Sequence, residues 1–165
     1  MALSPAIAGV EQLTDRPAVS FLLAWNREAV PNAKFDRNEL TIWIDRPYIR
    51  EACAILRDNR ELAFNFLSDI TAVDWYPSEP RFEVVYHLFS ITRREHLRLK
   101  VRLSGSDPSV ESVTSVWPAA NFFEREVFDL FGIRFQGHPY LRRIMMPESW
   151  EGHPLRKDYP VEGPR

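Results

Sequence analysis

The chain has 165 residues, 45% of them hydrophobic and 27% charged, with a formal net charge of −2 at pH 7. That is enough chain for one domain with a packed core, and too little net charge for a field that would gather nucleic acid or an anionic membrane. A single cysteine, Cys53, excludes an internal disulfide and any metal site built from four cysteines or from two cysteines and two histidines.

Met1 to Arg16 lack a basic start followed by a long apolar run, so no signal peptide is expected. No stretch approaches the ~18 consecutive apolar residues of a membrane span. Thr14 and Asp15 precede Pro17, the pattern of a capping side chain and a first-turn proline. Phe21, Leu22, Trp25 and Ala29 then predict a short amphipathic helix that ends at Pro31 and Asn32. Leu40, Ile42 and Ile44 alternate with Thr41, Trp43 and Asp45 and predict a strand. Pro47 opens a second helix, whose Ile49, Ala52, Cys53 and Leu56 share one face, so Cys53 is read as a small core hydrophobe rather than a reactive thiol.

A three-strand meander follows. Its first strand is the long β-rich run Phe64 to Trp75, with the turn at Tyr76-Pro77-Ser78-Glu79-Pro80. Phe82, Val84, Tyr86 and Leu88 line one face of the second, and Arg93 and Arg94 mark the next turn. In the third, Leu97, Leu99, Val101 and Leu103 alternate with Arg98, Lys100 and Arg102, which predicts one face in the core and one basic and wet. Lys100 is therefore expected to matter little. Ser104-Gly105-Ser106-Asp107-Pro108 closes the sheet region. The fold class expected is α+β, a mixed four-stranded sheet with helices packed on one face, followed by a buried helix and an extended C-terminal tail. The division expected is an α/β domain over 1–116 and a helix plus partner-binding tail over 117–165.

Pro118 to Gly132 carries proline near the first turn and glycine past the last, as a helix should. Phe122, Phe123, Val127, Phe128, Leu130 and Phe131 cover most of its circumference, which predicts burial on nearly all sides. Glu124, Arg125, Glu126 and Asp129 sit within it, and buried charges must be paired. Arg125 and Asp129 are spaced to meet along the helix. Glu124 and Glu126 each need another partner, drawn from Arg142, Arg143 and Arg156 or from another chain. A general acid/base role for Glu124 or Glu126 with His138 is the enzymatic alternative, although no nucleophile is placed beside them.

The spacings of His87, His96, His138 and His153 do not favour a metal site. His138-Pro139 and His153-Pro154 instead predict extended turns. Basic and aromatic residues interleave in the tail, yet Glu148, Glu151, Asp158 and Glu162 offset the charge that single-stranded nucleic acid would need. A proline-stiffened, charge-balanced tail suits docking along another protein.

Glu124-Arg125-Glu126-Val127-Phe128-Asp129-Leu130-Phe131-Gly132-Ile133 resembles the signature of the 30 kDa subunit family of respiratory complex I, the family of the C subunits of NADH:quinone oxidoreductases. The likeness continues through Phe135, Gly137-His138-Pro139, Leu141-Arg142-Arg143-Ile144 and Pro147 to Gly152-His153-Pro154-Leu155-Arg156-Lys157-Asp158-Tyr159-Pro160. Upstream, Asp69 to Asp74 and the meander look like the same family's sheet, so the resemblance covers roughly residues 35 to 160; residues 1–34 match nothing recognisable. It implies a peripheral-arm subunit on the cytoplasmic side of the inner membrane, with no catalytic, metal or cofactor site of its own. The partner implied is the quinone-site D (49 kDa) subunit, with neighbouring iron–sulfur subunits, and FMN and iron–sulfur clusters are expected in partner subunits. The ending soon after Lys157-Asp158 leads us to expect the form not fused to that D subunit. Residues expected to serve structure and interface are Glu124, Arg125, Glu126, Asp129, Gly132, His138, Arg142, Arg143, His153, Arg156, Lys157 and Asp158. Similar subunits of membrane-bound hydrogenases and of dehydrogenases with other donors are the nearest alternative.

Overall fold

A computed structural model describes residues 6–160; the first five residues of the Met1–Arg16 stretch and the last five of the expected tail lie outside it. The elements run β1 (Ile7–Ala8), α1 (Pro17–Trp25), β2 (Asn32–Asp36), β3 (Glu39–Trp43), α2 (Ile49–Asp58), β4 (Phe66–Asp74), β5 (Phe82–Ser90), β6 (Glu95–Leu103), β7 (Ser109–Glu111), α3 (Ala120–Phe131) and β8 (Arg134–Gln136). None of the helices is long and apolar enough to cross a membrane among the described residues.

Pro17 takes the first turn of α1, where a missing N–H costs nothing. The capping expected of Thr14 and Asp15 does not occur: Arg16 holds the cap position with no side-chain bond. The helix also stops sooner than expected. Asn26 is extended, and its side chain accepts the Glu28 N–H at 2.9 Å, starting a separate 3-10 turn over Arg27–Ala29. In α2 the predicted stripe is the buried one, with Ile49, Ala52, Cys53 and Leu56 inaccessible.

The main sheet is mixed, in the order β1-β2-β3-β6-β5-β4, with β3 and β6 parallel and the other pairs antiparallel. The four predicted strands form its main body, and β1 and β2 extend it beyond β3. Asp36 pairs with Glu39, leaving a two-residue hairpin loop at Arg37 and Asn38, both with positive φ. Three faces meet in one core: the helical stripes, Ile42 of β3, and the inward residues Phe82, Val84, Tyr86, Leu88, Leu97, Leu99, Val101 and Leu103.

The outer face of β5 and β6 is not simply wet. Glu83 is 1% exposed. It accepts Lys100 Nζ at 2.7 Å, the Trp43 indole N–H at 3.2 Å and Arg102 Nε at 3.5 Å. Lys100 therefore neutralises a buried carboxylate, a partner one strand away that the alternation within β6 does not reveal. Beyond the sheet, β7 and β8 pair in parallel, with Val110 opposite Phe135. Val110 and Phe135 of this small ladder are both buried in the common core.

Candidate functional site

α3 forms where expected, with Gly132 at its C-cap in the left-handed conformation, φ 73°. Its burial covers nearly all sides, as expected, with Arg125 and Asp129 buried too, and leaves one strip open. Ala120, Glu124, Val127 and Phe131 face the core, while Phe122 is 65% exposed and Glu126 is exposed. Glu126 therefore meets its ionic needs in solvent and requires no internal partner.

A helix leaves its last carbonyls without intrahelical donors. In α3 the tail supplies them. The Asp129 carbonyl accepts His153 Nδ1 at 2.9 Å and Arg143 Nη1 at 3.2 Å. The Leu130 carbonyl accepts the Leu155 N–H at 3.0 Å, and the Phe131 carbonyl accepts Arg156 Nε at 2.6 Å. Two cationic side chains thus lie at the negative end of the helix dipole. The His-Pro-Leu-Arg run is a cap for α3 delivered from more than twenty residues downstream. Gly132 leaves room for it: a Cβ there would lie 2.5 Å from Arg156 Nη2 and from the His153 ring.

Asp129 is the second junction. Its carboxylate is fully buried and accepts Arg143 Nη1 at 2.6 Å and the N–H groups of Ile144, Met145 and Met146 at 2.9, 2.7 and 2.9 Å. Burial pushes this carboxyl up, but the Met146, Met145, Arg143 and Ile144 donors together hold it below its ordinary value. Arg125 does not pair with it. Arg125 Nε instead donates to the Arg142 carbonyl at 3.2 Å, its guanidinium lies 5.9 Å from the Phe122 ring, and Arg142 stacks on Tyr140 at 4.4 Å. Of the three arginines expected to meet the helix carboxylates, Arg143 alone does so; Arg156 binds a carbonyl and Arg142 an aromatic ring.

Glu124 has no cation paired with it either, among the described residues. Its fully buried carboxylate accepts the Ser112 hydroxyl at 2.6 Å and the Val113 N–H at 2.7 Å, fastening α3 to the segment that follows β7. Burial pushes its pKa up to about 7, against the two hydrogen bonds. The same buried region holds Cys53, whose thiol burial and then the Glu124 charge push upward, and the unpartnered Tyr86 hydroxyl. Ser112 was not foreseen, since nothing local marks a serine whose partner lies twelve residues on.

His138 bridges backbone to backbone. Nδ1 accepts the Tyr140 N–H at 3.0 Å, so Nε2 carries the proton donated to the Asn121 carbonyl at 3.2 Å. With both ring nitrogens occupied and no hydrogen bond to Glu124 or Glu126, the acid/base pairing considered from sequence is not assembled. No group of three His, Cys, Asp or Glu side chains is arranged to hold a metal ion among the described residues. Lys157 and Asp158 reach the end of β4, where Asp158 pairs with Arg81 and the Lys157 N–H bonds Asp74. Asp74 and Arg81 were not singled out from sequence as site residues.

What this arrangement can do is present a fixed surface. α3 and the tail are joined by about ten hydrogen bonds of the ordinary backbone and charge-assisted kinds, while Phe122, Tyr140, Ile144, Met145 and Leu155 keep large apolar side chains exposed.

The family model described as respiratory-chain NADH dehydrogenase, 30 Kd subunit, matches residues 42–165. The C subunit of the NADH-quinone oxidoreductase of Roseiflexus sp. (strain RS-1) is 51% identical over 139 residues, covering 82% of this chain and 80% of the relative. Among solved structures, a trypsin-resistant fragment of Nqo5 superposes with a TM-score of 0.63 at 33% identity, over 75% of this chain and 99% of the fragment. A chain of the membrane-bound sulfane sulfur reductase, an archaeal respiratory membrane complex, gives a TM-score of 0.74 at 27% identity, over 90% of this chain and 86% of the other. The chain belongs to the 30 kDa subunit family of respiratory-chain NADH dehydrogenase.

Proposed function

We propose that this chain is the C subunit of a proton-pumping NADH:quinone oxidoreductase and that it works by holding neighbouring subunits in place. The observation that carries the reading is the set of exposed large side chains on α3 and the tail (Phe122, Tyr140, Ile144, Met145 and Leu155), all within the segment that matches the family. Apolar groups held on a hydrogen-bonded support and left in water suit a surface that a partner covers. The partner is the quinone-site D (49 kDa) subunit, with adjoining iron–sulfur subunits. FMN and the clusters reside in those partners, and electrons pass from NADH to quinone through them and not through this chain. The subunit lies on the cytoplasmic side of the inner membrane and reaches the membrane only through the complex.

A second reading, a subunit of a related membrane complex with another electron donor or acceptor, is supported by the likeness to the sulfane sulfur reductase chain. One experiment addresses both: capture of a tagged copy from native membranes, with mass spectrometry of the proteins that follow. Recovery of a quinone-site subunit with flavin-bearing, NADH-oxidising partners supports the first reading. A different input module supports the second, and a chain captured alone overturns both.

A further inference from the structure

The turn between β4 and β5 carries a buried fork-on-fork charge pair. Asp74 closes β4 at 3% exposure, and Arg81 meets its two carboxylate oxygens through Nε and Nη2, each at 2.9 Å. The Tyr76 N–H adds a further bond to Asp74 at 2.9 Å. Local bonds build this turn: Trp75 N–H to the Arg81 carbonyl at 2.7 Å, and Glu79 accepting the Arg81 and Gly105 N–H groups at 3.1 Å. Every one of these partners lies outside the tail.

The pair still has capacity, and the tail uses it. Arg81 Nη1 and Nη2 reach the Asp158 carboxylate at 3.0 and 2.6 Å, and the Lys157 N–H donates to Asp74 at 2.9 Å. Arg81 and Arg156 then lie over the Phe82 ring at 4.9 and 5.2 Å. A guanidinium with five donors can grip two carboxylates at once, which an ammonium cannot do in this geometry.

We propose that Asp74 and Arg81 form a receptor for the Arg156–Asp158 turn, closing residues 137–158 as a strap over the end of α3, and that this closure sets the surface offered to the partner subunit. The second half rests on the assembly reading above. Arg81 and Asp74 are positioning residues on this account, acting through the strap. Removing Arg81 would strand buried Asp74 without a cation and damage the sheet itself. Asp158 is the cleaner probe, because its loss leaves Asp74 and Arg81 paired with each other.

The test uses the full chain as wild type, Asp158→Asn and Arg81→Lys, the last keeping a cation for Asp74 without the two-carboxylate grip. Amide hydrogen exchange of the isolated chain is read at Leu155 and Lys157 and in β5, and each variant is also captured from membranes. Both variants should exchange at Leu155 and Lys157 roughly tenfold faster, the scale set by losing a charge-assisted pair, with β5 unchanged and complex recovery reduced severalfold. Unchanged exchange at Leu155 and Lys157 overturns the receptor. Faster exchange with undiminished recovery overturns the link to assembly. Wild-type chain captured alone overturns the assembly reading, while its exchange data still decide the receptor.

Discussion

Arg143 reaches back to Asp129 and bonds it twice, through the carboxylate at 2.6 Å and through the main-chain carbonyl at 3.2 Å. One guanidinium thereby fixes both the side chain of a helical residue and the end of the helix that carries it. The three N–H groups from Ile144 to Met146 converge on the same carboxylate, so the tail is wound around Asp129.

Asp129→Asn should therefore cost about 3–5 kcal/mol, the range for breaking a buried charged pair, because an amide cannot accept from four donors. Denaturant unfolding would show it. The sign with pH follows from the lowered pKa: the wild-type advantage is present above the ordinary value of 3.8 and is lost as pH falls below it.

Glu124→Gln should act in the opposite sense. Folding raises this carboxyl from 4.5 to about 7, so the folded state binds the proton more tightly than the unfolded chain. Wild-type stability relative to the variant is greatest below the ordinary value and falls as pH rises through about 7, by roughly 3 kcal/mol in all. The difference between the two unfolding free energies, followed from pH 4.5 to beyond 7, should trace that fall. A flat difference would mean that Glu124 is solvated or paired with a cation.

Gly132→Ala should destabilise by roughly 2–4 kcal/mol, combining left-handed backbone strain with displacement of the cap. The signature of the cap is local: Leu155 and Arg156 amides should exchange faster than the loss of global stability accounts for.

Lys100→Ala should cost about 1–3 kcal/mol by leaving Glu83 buried with only Trp43 and a distant Arg102. Glu83→Gln in the same background should recover most of it, which a thermal unfolding series can measure.

The sequence made the periodic parts of the fold legible. The α2 stripe, the meander and its turns, and the Pro118–Gly132 helix all follow from spacing that one element carries by itself. β1 escaped because two residues leave no alternation to read, and β2 because Asn32-Ala33-Lys34-Phe35-Asp36 carries only one large apolar side chain. At the site, the residue types were legible and their partners were not. Arg125 and Asp129 stand one helical turn apart, yet each is claimed by the tail, because main-chain donors and acceptors brought by the fold outnumber those on the helix surface. The Ser112 anchor of Glu124 and the Arg81 grip on Asp158 join positions whose proximity depends on the sheet order, which no local pattern encodes. The narrow exposure of α3 has the same origin: its apolar residues cover most of the circumference, and only the packed arrangement decides which strip is left open.

That exposed face is the most direct way to test the account. Oxidative footprinting would compare Met145, 60% exposed in the chain alone, with Phe122, Tyr140 and Leu155, in isolated chain and in intact complex. Strong labelling of the isolated chain and protection of this set in the complex is the predicted result. Equal labelling in both states would contradict an assembly surface on α3 and the tail.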